Sequence, residues 1–492
     1  MIADIQKSIY ERVKEMEDEL QECVQTGGQI ENRTSERIIE ACGRLFYEKG
    51  YINTSYDDIC REANINRGLI HYYFKNKSNI TTQLEKKIGE RRYQLLEADT
   101  ENLENEVVNL YWSYARLKEI YTDYPVLCYY LESYLDINMF QNSEVFEIQK
   151  INSQRNLQKV TLEKSKENCC YLRGAERFLV YAYAKGFLQS DVDTICDVYL
   201  TMKLKLYGYK EEEIQKYFSQ VKELYRKKST VMGSDMFPML QEESHGMELV
   251  TENIQKERQR FLQEYEKNAK KDRKRKRKKK EIFDFAKHIF WEEGYDALTF
   301  KRISEELGIS QGSIAYHFKK KHRISYLVYE EINCQIWEAI DQIAPDESQE
   351  VKLLMQEMIN GMIYQGEAGQ RYMDLFYKQS EDPGHYQMKL MEMEDEVAYL
   401  LKKGLDSEEN LRLYVAMHHG IGQEIIFQNY IGNYVCDIGD SIAREMDFLC
   451  ELLHVIGAKE DKVSMKKAKK YLEQWNFSLE KDFQLHYEQK KK

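Results

Sequence analysis

Residues 38–80 superpose on residues 282–324 without a gap at an offset of 244, with fifteen identities in forty-three pairs. Ile38 meets Ile282, Phe46 meets Phe290, and Gly50-Tyr51 meets Gly294-Tyr295. Ile59, Ile65, Gly68, Tyr72, Phe74-Lys75 and Lys77 meet their equals further on. Self-similarity at a fixed offset marks an internal duplication, and it constrains every later reading. Whatever fold one copy adopts, the chain holds it twice.

Each copy reads as four short helices. Ile38, Ala41, Cys42, Leu45 and Phe46 share one helical face that Gly50 closes; Ile282, Phe285, Ala286, Ile289 and Phe290 repeat it up to Gly294. A second helix follows at about Ser55–Glu62 (Thr299–Glu306), with Ser55 or Thr299 placed as its cap. A tight turn, ANI or LGI, leads to a helix at about Asn66–Tyr73 (Ser310–His317), again with a capping residue first. Two short helices joined by such a turn form a helix-turn-helix. A fourth helix carries Ile80, Leu84 and Ile88, or Ile324, Val328 and Ile332.

The rest of the chain is also helical by periodicity, over 90–228 and 335–485. Only four prolines occur in 492 residues, so the expected class is all-α. No apolar run approaches the roughly 18–20 residues of a membrane span. The N-terminus lacks the basic-then-apolar order of a signal peptide, and the ten cysteines include no C-x-x-C pair; a cytoplasmic protein with reduced thiols is expected. The net charge of −12 argues against indiscriminate nucleic-acid binding but permits a local basic face.

The LF..KGY ending of the first helix, the TS..DIC..A segment and INRGLIHYYFKNK resemble the N-terminal DNA-binding domain of TetR-family transcriptional regulators. The likeness covers about 50 residues in each copy. It implies that the third helix of each copy enters the major groove, where residues near its start reach base edges. Those are Asn66, Arg67 and Leu69 in the first copy, and Ser310, Gln311 and Ser313 in the second. Arg67 suits guanine and Gln311 adenine. Gly68 and Gly312 leave room for close backbone approach. By the same resemblance Tyr72, Tyr73 and Lys77, with Tyr316, His317 and Lys321, bind sugar-phosphate and set register. Thr54, Ser55 and Thr299, where the motif begins, complete the set. One position departs from the family, which usually has Tyr where this chain has His71 and Ala315; His71 can still donate to a phosphate, and Ala315 cannot. The run KKDRKRKRKKK (270–280), which includes Lys274, Arg275 and Arg277, abuts the second copy and is expected to reach DNA as a basic arm.

The resemblance further implies that the helical remainder holds a small-molecule pocket. Its last two helices would pair with a partner domain, here about 171–188 with 191–206 and about 409–431 with 438–457. The organisation expected is an N-terminal amphipathic helix (1–28), a first helix-turn-helix domain (30–88) and a first effector and dimerisation domain (90–228). A connector and linker helix (229–269), a basic arm with the second helix-turn-helix domain (270–332) and a second effector and dimerisation domain (335–485) complete it. Gly420 and Gly422 are candidates for close helix approach, and the methionines around Met355 and Met391 for core filling. His418 and His419 point about 100° apart on a helix, which counts against a shared metal. No H-E-x-x-H, P-loop, G-x-S-x-G or G-x-G-x-x-G is present, so no enzyme class, metal or cofactor is expected.

The function expected is a ligand-responsive repressor acting as a single-chain pseudo-dimer on an asymmetric double-stranded operator, with an unidentified small-molecule effector. Two rivals are a homodimer presenting four helix-turn-helices, and a small-molecule or protein sensor in which one or both copies no longer bind DNA.

Overall fold

The computed structural model describes residues 28–100, 103–136, 160–227, 276–366, 368–380, 383–402, 407–453 and 461–490, with the single positions 256 and 259. The N-terminal amphipathic helix, the linker helix and most of the basic run, including Lys274 and Arg275, lie outside these residues. The described residues are overwhelmingly helical and fall into two compact units; the first reaches Ala98 and the second holds the remainder.

In the first unit α1 (Gly28–Lys49) buries Ile38, Ala41, Cys42, Leu45 and Phe46, the stripe read from the sequence. Gly50 ends it at φ +85°, a conformation that costs a residue without Cβ little. Ser55 starts α2 (Tyr56–Ala63) with a reciprocal capping box: its hydroxyl accepts from the Asp58 amide, and the Asp58 carboxylate accepts from the Ser55 amide. Asn64 turns the chain in the left-handed region, and Asn66 caps α3 (Arg67–Phe74) by accepting from Leu69 N. α4 (Lys77–Thr100) closes the domain over Ile59, Ile70 and Phe74 with Ile80, Leu84 and Ile88.

The second unit contains the repeat of that plan. α10 (Lys276–Glu293), α11 (Phe300–Leu307), α12 (Gln311–Phe318) and α13 (His322–Ile343) bury Ile282, Phe290, Ile303, Ile314, Phe318 and Ile324. Gly294, Gly308 and Lys319 take positive φ where Gly50, Asn64 and Lys75 do. Thr299 and Ser310 supply the caps. The duplication is therefore one of backbone conformation as well as of residue type.

The same unit holds two helical halves. The first comprises α5 (Asn105–Thr122), α6 (Tyr124–Tyr134), α7 (Leu162–Ala184), α8 (Val192–Leu206) and α9 (Glu211–Lys227). In the second, α13 continues into α14 (Gln349–Gln365), α15 (Gly369–Ser380), α16 (Pro383–Lys402), α17 (Glu408–Tyr430), α18 (Ile438–Leu453) and α19 (Asp461–Leu472). α7 and α17 lie against each other along most of their length. They cross at Gly174 and Gly420, where a Cβ on either would overlap the other's carbonyl. These glycines are 246 residues apart, so the crossing joins equivalent positions of the two halves. Gly422 has no such duty: a Cβ there would meet nothing within 4 Å.

Charge also crosses this contact. Glu424 of α17 is fully buried, 3.1 Å from Arg173 Nε and 2.8 Å from Arg177 Nη1 of α7. Arg444 of α18 reaches Glu167 at 2.7 Å, Tyr171 donates to the Ser441 carbonyl, and Arg412 donates to the Phe187 carbonyl.

Residues 475–489 differ from the helix expected up to 485. They form an antiparallel hairpin, β1 (Trp475–Glu480) and β2 (Gln484–Gln489). Trp475, Phe477 and Leu479 alternate with polar residues, the period of a half-buried strand. The turn drives Phe483, fully buried, against Trp291 of α10 with ring centroids 5.1 Å apart. Asp482 meets His288 of α10 at 3.0 Å, and Gln335 of α13 accepts from Leu485 N. The hairpin thus straps the second helix-turn-helix domain to the body of its half. No helix among the described residues is long and apolar enough to cross a membrane.

Candidate DNA-binding helices and a cavity

On α3 the residues at Asn66, Arg67, Gly68, His71 and Tyr72 are exposed, while Leu69 and Tyr73 are half-buried. Tyr72 stands 69% exposed, unusual for a large aromatic ring without a surface to cover. α12 repeats the display: Ser310, Gln311, Gly312 and Tyr316 are exposed, Ser313, Ala315 and His317 half-buried, and Tyr316 is 60% exposed. Each helix buries only Ile70 and Phe74, or Ile314 and Phe318, and turns the rest outward. Arg277 stands in the first turn of α10.

The two faces differ in how their polar groups are held. The Arg67 guanidinium lies 5.1 Å from the Tyr56 ring centroid, and His71 stacks on that ring at 6.1 Å. Arg67 is thereby restrained over the face that α3 presents. At the matching positions the second copy has Gln311, Phe300 and Ala315, a set with no cation to stack. A Cβ at Gly68 would sit 3.3 Å from the Asn66 cap oxygen, whereas Gly312 has open space.

Three sequence candidates face inward. Thr54 is buried and donates to the Gly50 carbonyl at 2.8 Å. Lys77 donates to the Tyr51 carbonyl at 2.7 Å and the Thr54 carbonyl at 3.3 Å, with its ammonium 4.2 Å from the Tyr51 ring centroid. Lys321 does the same with Tyr295, at 3.1 Å to the carbonyl and 4.0 Å to the ring centroid. In both copies this lysine ties the start of the fourth helix to the loop before the second. The sequence displays the repeated lysine but hides this clamp, whose partner lies 26 residues upstream.

The family model described as bacterial regulatory proteins, tetR family, matches residues 38–83 and 282–324. The two matches fall on the helix-turn-helix regions of α1–α4 and α10–α13. Two TetR-family helix-turn-helix domains stand in tandem in this chain. Among similar proteins is the HTH-type transcriptional regulator HbdR of Aromatoleum sp. (strain CIB), 33% identical over 96 residues, which is 19% of this chain and 42% of that protein. Another is the probable HTH-type transcriptional regulator YttP of Bacillus subtilis (strain 168), 34% identical over 70 residues, 14% of this chain and 34% of that protein. The chain spans less than half the length of each relative.

The TetR-type heads are joined to halves with unlike interiors. In the first, Glu176 of α7 accepts from Arg116 at 2.6 Å, from Tyr199 at 3.0 Å and from Tyr134. Burial pushes the Glu176 carboxyl up, but Arg116 and these hydrogen bonds outweigh it and hold it below the ordinary value. Nearby, Lys203 donates to Ser113 at 2.9 Å, and burial lowers its ammonium to about 8. Glu176 and Arg116 thus answer each other within the fold, while the partner of Lys203 is a hydroxyl.

In the second half the 246-residue register puts Gly422 where Glu176 stands. Gly422 borders a cavity of about 920 Å³, lined by α13, α14, α16, α17 and α18 and open to solvent on one side. The size suits a drug-sized ligand. His418 and His419, weighed from the sequence as one contact, both line it but are committed apart: His418 Nδ1 to Glu445 at 2.9 Å, His419 Nε2 to Glu396 at 2.7 Å. Against the cost of burial, Glu445 raises the His418 imidazole to about 10. Met355, Met358 and Met393 are buried outside the cavity wall, as core.

Proposed function

We propose that the chain is a DNA-binding transcriptional regulator in which two unlike TetR-type heads ride on one polypeptide and read an asymmetric operator. The observation that carries this reading is the paired display: the same outward helix twice, with Arg67 over Tyr56 in one copy and Gln311 in the other. Arg favours guanine and Gln adenine, so the heads should prefer different half-sites. Asn66, Leu69, Ser310 and Ser313 would stand at base edges. His71, Tyr72, Tyr73, Tyr316 and His317 would lie along the sugar-phosphate backbone, with the basic run beside the second head.

The α7–α17 contact supports pairing of the halves within the chain. At equivalent positions Arg173 corresponds to His419, Arg177 to Gln423, and Phe178 to Glu424. Two copies of α7 facing each other would bury four guanidinium groups against phenylalanine. Two copies of α17 would leave Glu424 facing Gln423 and His419. Only the mixed contact answers both arginines with a carboxylate, and a buried unpaired charge costs several kcal/mol.

Response to a small molecule would start in the second-half cavity. From its wall, Tyr364 and Tyr329 stack on Tyr372 at 5.2 and 6.2 Å, Tyr372 meets Phe483 at 6.4 Å, and Phe483 meets Trp291 of the second head. Arg371 caps this file, its guanidinium 5.2 Å from the Trp291 ring centroid. A ligand that repacks the tyrosines would shift the population of α10 positions and with it DNA affinity.

The test is direct binding of the full chain to selected DNA at stated salt, with Arg67→Ala and Gln311→Ala. Each should cost about 1–3 kcal/mol at a different half-site. Equal losses at one and the same half-site, or none at either, would refute the two-headed reading.

A further inference from the structure

We infer that the cavity of the second half is a site for an organic cation, a compact aromatic or branched ammonium. This deepens the ligand-responsive reading above and rests on it for biological sense, although binding can be measured without DNA.

The wall carries six carboxylates, Glu330, Asp341, Glu357, Glu392, Asp395 and Glu396, against Lys389, His418 and His419. The three basic groups are already engaged. Lys389 meets Glu392 at 2.6 Å, His419 meets Glu396, and His418 meets Glu445. Asp341 is likewise answered, by Lys352 at 2.7 Å. Glu357 is different: among the described residues no basic group comes within ion-pair distance of it. Burial pushes its carboxyl up, and the charges of His418, His419 and Lys389, each paired with another carboxylate, oppose this without outweighing it.

The first half indicates what is missing. There Arg116 and Glu176 pair at 2.6 Å, at positions that correspond to residues of the cavity wall. At the 244-residue offset Arg116 corresponds to Asn360 and Ser113 to Glu357, while Glu176 corresponds to Gly422 in the 246-residue register. The second half thus lacks the built-in guanidinium and carries a carboxylate one helical turn away from where it would stand. Asn360, only 4% exposed, borders the cavity with no hydrogen bond to another described residue. Its amide stands where a ligand in the cavity can bond to it.

The rest of the wall suits a cation with bulk. Tyr326, Tyr329, Trp337, Tyr364, Tyr399 and Tyr414 border the space. The protein's own Lys389 already lies 5.0 Å from the Tyr329 ring centroid, so that ring accepts positive charge. An anion would face the carboxylates, and a neutral ligand would leave Glu357 unanswered. A bare metal ion is a poor match, because no group of three metal-ligating side chains comes together among the described residues.

The test uses the full chain and three probes of one shape: a phenylalkyl trimethylammonium, its neutral tert-butyl isostere, and the carboxylate of the same chain length. Calorimetry should give binding of the ammonium at least about tenfold tighter than either analogue, the ratio one modest charge interaction supplies. Glu357→Gln should remove that preference while leaving the neutral analogue unchanged, and it should melt no lower than the parent. Gly422→Leu, which extends into open space, should block all three. Equal binding of the neutral probe, tighter binding of the carboxylate, or an undiminished ammonium preference in Glu357→Gln would overturn the assignment. DNA affinity measured alongside separates the two readings. Ammonium binding without any change in DNA affinity upholds the site and defeats its regulatory role. Intact DNA binding with no ammonium binding defeats the site alone.

Discussion

Glu176 sits in a ring of donors from Arg116, Tyr134 and Tyr199; 246 residues later the same helical position is Gly422, and the space beside it is open. The heads differ in a similar way. Caps, left-handed turn residues and the inward lysine recur in both, whereas Arg67, Tyr56 and His71 become Gln311, Phe300 and Ala315. The backbone roles recur through the duplication even where the residue differs, while on the exposed helix Gly68 and Tyr72 recur and Arg67 and His71 do not. A duplicated scaffold with unlike contents is what a chain needs if its halves are to have separate tasks.

The largest effect should come from the contact that joins the halves. Glu424→Gln removes the buried carboxylate that faces both Arg173 and Arg177 and should cost about 3–5 kcal/mol in denaturant unfolding. A deficit under about 1 kcal/mol, the size of an exposed pair, would mean that the contact does not depend on charge, and the argument for pairing within the chain would weaken. Next comes the interior pair. Glu176→Gln strands Arg116 and should cost about 3 kcal/mol or more, while Gly422→Ala should be neutral or gain about 0.5–1 kcal/mol from helix propensity. Similar destabilisation at both positions would break the contrast between a filled half and an open one. Smaller again is the lysine clamp. Lys77→Met and Lys321→Met each remove charge-assisted hydrogen bonding to a carbonyl and a ring interaction, about 1–2 kcal/mol of stability by thermal melting. Unchanged melting with weakened DNA binding would return both lysines to a phosphate-binding role.

Much of this arrangement is legible in the residues because it is local. Ser55, Thr299, Asn66 and Ser310 declare helix starts by type and spacing, and Ile38, Phe46 and Ile59 declare the core by period. Contacts that cross elements are harder to read. The inward turn of Lys77 depends on a carbonyl far upstream, and the Tyr56–Arg67–His71 stack spans two helices. The exchange of Glu176 for Gly422 is hidden because the offset drifts from 244 to 246 between heads and interface helices, which misaligns any single-register comparison. Gly420 and Gly422 look alike in sequence, yet one makes a helix crossing and the other borders a cavity. The hairpin is only two six-residue strands, and its alternation is short enough to vanish beside the helical periodicity before it.

The claim that one chain carries two unlike reading heads for one operator is tested most directly by selecting sites for the full chain from random duplex DNA at fixed salt. The mass of the resulting complex should be determined alongside. The account predicts one chain per duplex and an enriched site whose two halves differ. Arg67→Ala should relax the preference for a guanine in one half, and Gln311→Ala the preference for an adenine in the other. Enrichment of perfect palindromes bound by two chains would contradict it.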